Sequence, residues 1–292
     1  MYKRQGLVKG ASKGEGKGNE FLSAIKNVDA VLHVVRCFED PDVIHVDGSI
    51  DPVRDIEIID LELLLKDEET AKNALDKAKK RAQLDKEAAA RVPTLEKVVA
   101  AFKELKPVRA LELSEEQLVH IQDLHLITAK AMLFVCNIGE CDIAVGGNAH
   151  SKAVEAHAGK VGAKAIRISG KIESELVSLS GDERAMFMKD LGIAEPGVDL
   201  LVRAGFEILG LRTYFTAGVQ EVRAWQFQKG WKAPRCAGVI HTDFEKNFIR
   251  AEVAAYVDYV ANKGEKGCRE VGKLRAEGKE YVMQDGDVCH FL

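Results

Sequence analysis

The stretch Ala131-Met-Leu-Phe-Val-Cys136 is followed directly by Asn137-Ile-Gly-Glu140. A short run that is apolar on both faces is typical of a strand buried in a parallel sheet. Ligands of α/β sheets bind beyond the carboxyl ends of the strands. The tetrapeptide at 137–140 is therefore a candidate ligand-binding loop, and a simple turn is the alternative interpretation.

Similar strands are predicted on either side of this one in the sequence. Residues 29–38 and Lys164-Ala-Ile-Arg-Ile-Ser169 are both short, apolar and partly β-branched. Helical patterns separate the strands, at 151–160 and from the capping box Ser180-Gly-Asp-Glu183 to Gly192. Alternating strands and helices predict an α/β fold with a parallel sheet.

A helical insertion is predicted between the first two strands. Asp51-Pro52 provides a helix cap and a proline for the first helical position. Apolar residues at helical spacing continue to about Ala90, and we expect Pro93 to end this helix. A second helix should follow up to Pro107, so that the pair forms a helical hairpin like a short coiled coil.

The C-terminal part has a different pattern, with short strands predicted around 219–227, at 248–256 and at 288–292. A short helix is expected at 264–276, and Asp285-Gly286 is typical of a hairpin turn. This mixture predicts a small α+β domain. From Leu209 onward, 13 Lys/Arg face 11 Asp/Glu, an excess too small to indicate RNA binding by charge.

Composition excludes several classes of protein. The 292 residues carry a net charge of −4, so no strong overall field favours nucleic acid or an anionic membrane. No run of eighteen apolar residues and no signal peptide is present, which predicts a cytoplasmic protein with no membrane partner. The six cysteines show neither Cys-x-x-Cys nor zinc spacing, so reduced thiols are expected, with a redox-sensing thiol as the alternative.

A glycine-rich segment opens the chain, with five glycines and three lysines between Gly6 and Gly18. It is not a P-loop, which requires Gly, four residues and then Gly-Lys-Ser/Thr. At Gly16-Lys17 the residue five positions earlier is Ala11, and Gly18 follows where a hydroxyl should bind Mg²⁺. The segment therefore resembles part of a nucleotide-binding protein without the loop that binds the phosphates.

Two loops of the predicted sheet fit the base of a nucleotide. GTP-binding folds carry Asn-Lys-x-Asp after one strand, where the aspartate accepts hydrogen bonds from guanine. Here Asn137-Ile138-Gly139-Glu140 has lost the lysine and has glutamate for aspartate, which should weaken guanine selection. Ser169-Gly170-Lys171 follows the next strand, where such folds place a Ser-Ala-Lys loop over the base.

Beyond residue 5 the chain resembles the YchF family, the Obg-like ATPases. The resemblance rests on long shared runs, which are Gly6–Gly16, His33–Phe38, Asp51–Glu57, Asn137–Glu140, Tyr214–Val219, Ala237–Lys246 and Phe248–Glu252.

The resemblance implies a P-loop NTPase-type domain with a helical insertion and a C-terminal TGS domain of ubiquitin-like (β-grasp) fold. We expect the NTPase-type part at 1–50 and 120–207, the insertion at 51–119 and the TGS domain at 208–292. The family's activity implies ATP, preferred over GTP, with Mg²⁺ as cofactor. Its partner would be the ribosome, with a possible RNA contact. The nucleotide-binding residues would be Asn137, Ile138, Glu140, Ser169 and Gly170.

In the family, Gly6 would belong to the Asp-x-x-Gly switch motif, and Leu7 would stand where many GTPases carry a water-orienting glutamine. The family is thought to use a histidine instead, which corresponds to His45 as the catalytic residue. A surface histidine is the alternative interpretation. The aspartate of the switch motif would fall at Lys3, which departs from the pattern.

From these departures we expect residues 1–5 to be foreign and the P-loop segment, with the Mg²⁺ ligands, to be missing. Such a chain should be inactive alone, and the strands at 29–38 and 131–136 should expose apolar faces. The competing hypothesis is a non-catalytic module in which the hairpin and the TGS domain bind ribosome or RNA.

Overall fold

A computed structural model describes residues 18–45, 48–219 and 221–292, with side chains from residue 22 onward. Contacts divide the chain into two compact units, Met1–Gly205 and Phe206–Leu292. In chain order, up to and including the helix that crosses the division, the α-helices and strands are α1 (Gly18–Ile25), β1 (Ala30–Arg36), α2 (Pro52–Arg81), α3 (Lys86–Lys103), α4 (Glu115–Gln122), β2 (Ala131–Asn137), α5 (Glu140–Ala144), α6 (Ala149–Lys160), β3 (Lys164–Ile168), α7 (Gly170–Ser178), α8 (Gly181–Asp190) and α9 (Gly197–Ile208).

The first unit contains a parallel sheet in the order β1-β2-β3. Ala30 pairs with Ala131 and Leu133 pairs with Lys164, so β2 lies in the centre. The predicted α/β fold with a parallel sheet is therefore confirmed. The central position explains the sequence of β2, because a strand covered on both faces and both edges has to be apolar throughout.

The strands at 29–38 and 131–136 were both expected to expose apolar faces, and the structure shows this for only one of them. In β1, Leu32 and Val34 are exposed, by 45% and 62%. In β2, all residues from Met132 to Cys136 are buried. The predicted exposure of apolar side chains is therefore present on β1 and wrong for β2, whose side chains are covered on both faces of the sheet.

The face of the sheet toward α2 and α6 carries the main apolar core of the first unit. Its members include Leu22, Val35, Ile56, Phe134 and Val154. Asp51 caps α2 by accepting a hydrogen bond from the Arg54 backbone N–H at 3.1 Å, as its sequence predicted.

Polar side chains are also enclosed on this side of the sheet. The Phe134 ring lies 5.7 Å from the His33 ring and 5.9 Å from the His157 ring. Arg109 Nη2 approaches Asp60 Oδ2 at 3.8 Å. Among the described residues, His33 Nδ1 and His157 Nε2 have no hydrogen-bond partner. Burial, followed by the charge of Arg109, lowers the pKa of His33 to about 4.

The helical insertion forms a pair of helices with a core of its own. Leu64, Ala71 and Leu75 of α2 pack with Leu95 and Phe102 of α3. The break between the helices was wrongly predicted at Pro93. It lies at 82–85, where Asp85 caps α3 by accepting hydrogen bonds from the N–H groups of residues 87 and 88.

Pro93 lies inside α3. Proline removes the hydrogen bond to the carbonyl four residues earlier, which is that of Ala89. Both residues are exposed, so water can bind this carbonyl and the helix continues. Leu105 follows the end of α3 and is 65% exposed.

Asp67 fastens α2 to the segment that leads into β2. Its fully buried carboxylate accepts hydrogen bonds from Ile127 N at 3.0 Å, Thr128 N at 2.6 Å and Thr128 Oγ1 at 2.7 Å. The helical pair and the sheet both lie in the first unit. The proposed division of these residues into an NTPase part and an insertion therefore stays a prediction.

The second unit contains β4 (Leu211–Ala217), β5 (Val222–Gln228), α10 (Ala233–Ile240), α11 (Thr242–Lys246), β6 (Ala251–Ala255), α12 (Tyr256–Ala261), α13 (Glu265–Glu270), β7 (Arg275–Glu277) and β8 (Asp287–Phe291). Its mixed sheet has the order β5-β4-β8-β6-β7. β4 and β8 pair in parallel and the other pairs are antiparallel. Tyr214, Phe227, Cys236 and Val253 lie in its core.

Two local predictions in this unit are wrong. The helix expected at 264–276 ends at Glu270, and β7 follows. Asp285-Gly286 does not close a hairpin between neighbouring strands. Asp285 Oδ1 accepts from Thr213 N at 2.8 Å and Gly286 N donates to Thr213 O at 2.8 Å, so this turn binds β4, which is distant in sequence.

All six cysteines are free thiols, as the spacing predicted. Across the described parts of the chain, no helix is both long and apolar enough to cross a membrane.

Candidate nucleotide site

The two loops predicted to bind the base meet at the carboxyl ends of β2 and β3. Asn137 Oδ1 accepts a hydrogen bond from Gly170 N at 2.9 Å. Ile138 N donates to Ile168 O at 2.9 Å. The parallel register of β2 and β3 places both loops at the same edge of the sheet. A side-chain amide that binds the backbone of the neighbouring loop fixes the distance between the two.

Glu140 is paired across this junction with a residue of the other loop. Lys171 Nζ donates to Glu140 Oε2, and the pair links the start of α5 to the first turn of α7. The side chains are 37% exposed for Glu140 and 69% for Lys171, so a ligand can reach both. The hydrogen bond to Glu140 raises the pKa of Lys171.

Ser169 stands at the cap position of α7 and is 2% exposed. Within the described residues, its Oγ atom has no hydrogen-bond partner. A buried hydroxyl without a partner is uncommon and is expected to bind a ligand or water. The N–H groups at the start of α7 add a positive dipole end at the same place.

Ile138 contributes differently from the other predicted base contacts. Its side chain is 2% exposed and belongs to the apolar core beneath the sheet. Its part in the site is therefore to anchor the loop, by packing and by its backbone bond to Ile168. The lysine that GTP-binding folds carry at this position would here point into the apolar core.

Asn148 is a site-forming residue that the sequence reasoning missed. Its Nδ2 donates to Cys37 O and to Asp142 Oδ2, both at 2.7 Å, and its Oδ1 caps α6. It thereby joins the end of β1 to helix α5, which begins at Glu140. The signal was present, because Asn148 and Ser151 form a capping box before a helical pattern.

Arg36 shapes the segment that follows β1, which sequence reasoning also missed. Its guanidinium donates to Phe38 O at 3.2 Å, to Asp40 O at 3.2 Å and to Val43 O at 2.9 Å. The same group lies 4.8 Å from the centre of the Phe38 ring. One charged side chain therefore organises the loop that leads to His45.

His45 lies against the first turn of α2. Its Nε2 atom is 2.9 Å from Asp55 Oδ2. Arg54 approaches the other carboxylate oxygen of Asp55, with Nη2 at 3.1 Å and Nε at 3.3 Å. His45 is thus a partly buried histidine held by a carboxylate, and not a freely exposed surface residue. Asp55 was part of a recognised run in the sequence but had no assigned role.

The structure brings Asn137, Glu140, Ser169 and Gly170 together at one edge of the sheet. His45 belongs to the neighbouring strand connection, after β1. Gly6 and Leu7, the predicted switch residues, and most of the glycine-rich segment lie outside the described residues.

A cluster of metal-binding side chains occurs elsewhere. In the described part of the chain, the only such group of three or more is Glu252, Glu265 and His290, in the second unit. Arg269 already pairs with both carboxylates, at 2.7 and 2.8 Å. The charges of the two carboxylates are therefore already compensated by the guanidinium.

The chain is similar to proteins of known sequence over almost its whole length. It is 51% identical over 288 residues to the "Ribosome-binding ATPase YchF" of Bacillus subtilis, covering 98% of this chain and 79% of that protein. It is 45% identical to the protein of the same name from Escherichia coli O157:H7, with the same coverage.

A structural comparison and a family model point to the same family as these relatives. A structure described as that of the Schizosaccharomyces pombe YchF GTPase matches with a TM-score of 0.84 and 37% identity, covering 98% of this chain and 78% of that one. The family model YchF-GTPase_C, described as a protein of unknown function (DUF933), matches residues 211–292.

Proposed function

Because this chain belongs to the YchF family, we propose that the intact protein is a ribosome-associated nucleoside triphosphatase that prefers ATP to GTP. Two relatives are named ribosome-binding ATPases, which supports the reaction class and the partner. The observation that carries the base preference is the pairing of Glu140 with Lys171 at the ends of β2 and β3.

The base preference follows from hydrogen-bond chemistry. Guanine presents N–H donors to the carboxylate of an Asn-Lys-x-Asp loop, whereas adenine presents one amino donor and a ring-nitrogen acceptor. Here the Glu140 carboxylate already accepts from Lys171, and the ammonium adds donors of its own. A site with both a donor and an acceptor fits the edge of adenine better than that of guanine.

The reaction we propose is attack of water on the γ-phosphate. His45 would orient that water, in place of the glutamine used by many GTPases. Mg²⁺, when bound, neutralises charge on the phosphates in this class of reaction. The residues of this chain would hold the base at 137–140 and 169–171 and position the water through the His45 ring.

The sequence of residues 1–292 contains no P-loop motif. Backbone N–H groups and the lysine of that motif provide most of the phosphate binding in P-loop enzymes. We therefore expect a polypeptide of these 292 residues to show no ATP hydrolysis when assayed alone.

The second unit would be the TGS domain of ubiquitin-like fold. Numbered within the unit, its strands have the order 2-1-5-3-4, with a parallel central pair, which supports this assignment. Association with ribosomes would place the protein in the cytoplasm.

The alternative function is a binding module for ribosome or RNA without catalysis. It is favoured by a groove of about 670 Å³ along α2 and α3, whose basic lining includes Lys26, Lys77, Arg81 and Arg91. Acidic residues, Glu69 and Asp85 among them, line the same groove, which weakens the case. Ribosome co-sedimentation with and without ATP separates the two functions, because binding that ignores ATP favours the module.

The catalytic proposal is tested by His45→Ala in an ATPase-active, full-length form of the protein. We expect kcat to fall by about 10²-fold, a typical loss for a group that assists proton transfer or orients water. ATP affinity should stay close to wild type, because the residue acts mainly in the transition state. A variant with wild-type turnover would return His45 to a structural role.

A further inference from the structure

We propose that Asp55 is a positioning residue for His45, fixing the tautomer and the orientation of its ring for work on the attacking water. This inference rests on the function proposed above for His45. It adds Asp55, and Arg54 behind it, to the residues on which turnover depends.

The contact itself determines which nitrogen of the ring is basic. His45 Nε2 and Asp55 Oδ2 are 2.9 Å apart. An ionised carboxylate has no hydrogen to donate, so Nε2 carries the proton and donates it to Asp55. In the neutral ring the lone pair then lies on Nδ1. A carboxylate behind a histidine fixes this tautomer and makes the opposite nitrogen more basic.

Asp55 is itself held in place by neighbouring groups. Arg54 binds its second oxygen and also reaches Ser49, with Nη2 2.7 Å from the Ser49 carbonyl oxygen and Nη1 3.1 Å from its hydroxyl. Asp55 lies in the first turn of a 30-residue helix, where the helix dipole favours a carboxylate. The orientation of the His45 ring is therefore set by a long rigid element.

The environment makes this pair stronger than an ordinary surface ion pair. The side chains are 15% exposed for His45 and 23% for Asp55. Partial exclusion of water strengthens the hydrogen bond, whereas fully exposed pairs contribute little. A bond of this kind restricts rotation of the ring, which matters for a residue that has to hold water in line with a phosphorus atom.

A purely structural pair would predict different behaviour from a positioning pair. Loss of a structural pair would lower the free energy of unfolding and leave the kinetics of the folded enzyme unchanged. Loss of a positioning pair would lower kcat in folded enzyme, leave KM for ATP unchanged and alter the pH dependence of turnover.

The kinetic test uses Asp55→Asn in the ATPase-active, full-length form of the protein. We expect kcat to fall by about 10- to 100-fold, the range typical of changes to a carboxylate behind a histidine. The acidic limb of the pH–rate profile should move to lower pH, because the neutral ring is the active form and an amide stabilises the protonated ring less than a carboxylate does. Asp55→Glu, which keeps the charge, should recover part of the rate.

The matched control is Glu57→Gln, which removes an exposed negative charge from the same helix. It should leave kcat, KM and the pH profile at wild-type values. A fall of the same size in Glu57→Gln would assign the effect to charge near the start of α2 and would overturn the inference.

A second measurement needs no turnover and uses the 292-residue chain. Long-range ¹H–¹⁵N correlation spectra report which imidazole nitrogen carries the proton, with His45→Gln to assign the signal. We expect the Nε2–H tautomer in wild type and a mixture of tautomers in Asp55→Ala. An unchanged tautomer would overturn the inference even if Asp55→Asn failed to fold.

The outcomes also separate this inference from the proposed function. Wild-type turnover in His45→Ala refutes the proposed catalytic role of His45, and the inference fails with it. Slow turnover in His45→Ala together with wild-type turnover in folded Asp55→Asn refutes only the role of Asp55.

Discussion

The enclosed side chain of His33 leads to a quantitative prediction of how the stability of the first unit depends on pH. His33 belongs to strand β1, and its ring lies 5.7 Å from that of Phe134. Burial and the nearby Arg109 lower the pKa of His33 to about 4, from an ordinary value of 6.5. His157 acts in the same direction as Arg109, and Asp55 opposes them.

The sign follows from proton binding in the two states. Between pH 6.5 and about 4, the unfolded chain binds a proton at His33 and the folded chain does not. Stability should therefore be complete above pH 6.5 and fall as the pH drops through this window. A difference of about 2.5 pKa units corresponds to roughly 3 kcal/mol, a large share of the 5–15 kcal/mol that typically stabilises a domain.

The test compares wild type with His33→Phe, which replaces the titrating ring by an apolar one of similar size. Urea unfolding between pH 7.5 and 4.5 would be followed by far-ultraviolet circular dichroism. Both tryptophans, Trp225 and Trp231, lie in the second unit, so their fluorescence provides an internal control that His33→Phe should not change.

We expect wild type to lose about 2–3 kcal/mol more than His33→Phe over this pH range. The comparison removes contributions common to both proteins, including Asp60, whose pKa is raised by burial. Parallel pH curves for the two proteins would refute the reasoning, because the depressed pKa of His33 would then have no effect on folding.

Two further predictions concern single contacts. Lys171→Ala should free the Glu140 carboxylate to accept hydrogen bonds from guanine. The ratio of the GTP dissociation constant to the ATP dissociation constant should then fall by about 2- to 5-fold, since an exposed pair contributes modestly. An unchanged ratio, measured by calorimetry in the full-length form, would contradict the base assignment. Asp67→Asn should destabilise the first unit by roughly 3 kcal/mol, because an amide cannot accept all the bonds from Ile127 and Thr128. The exposed Asp76→Asn on the same helix is its control, and equal unfolding midpoints for the two variants would contradict the anchoring role of Asp67.

Local sequence was sufficient for several elements. The strand at 131–136 was predicted because a central strand has to be apolar along its length, and the structure places it between two parallel neighbours. Asp51 and Ser180 cap helices as their sequences indicated, since a cap needs only groups within a few residues. Gly192 follows α8 with φ of +66°, a conformation that glycine adopts without strain.

The contacts between the loops at 137–140 and 169–171 were predicted in part. Asn137 and Gly170 could be placed at one edge because the carboxyl ends of parallel strands meet there. The pairing of Glu140 with Lys171 could not be predicted, because the two residues are 31 positions apart and their contact depends on the register of β2 and β3.

What the sequence determined by itself was therefore the alternation of strands and helices in the first unit, the helix caps at Asp51 and Ser180, the position of the loops at 137–140 and 169–171, and the family. The tertiary structure decided the rest. Pro93 lies within a helix because the carbonyl that it leaves without a hydrogen bond, that of Ala89, belongs to an exposed residue. Asp285-Gly286 binds β4 instead of closing a hairpin. The tertiary structure also placed Asp55 behind His45, ten residues away in the sequence. Each of these three features depends on which groups folding brings together and which it leaves exposed. The spacing of residues along the chain does not show which groups will meet.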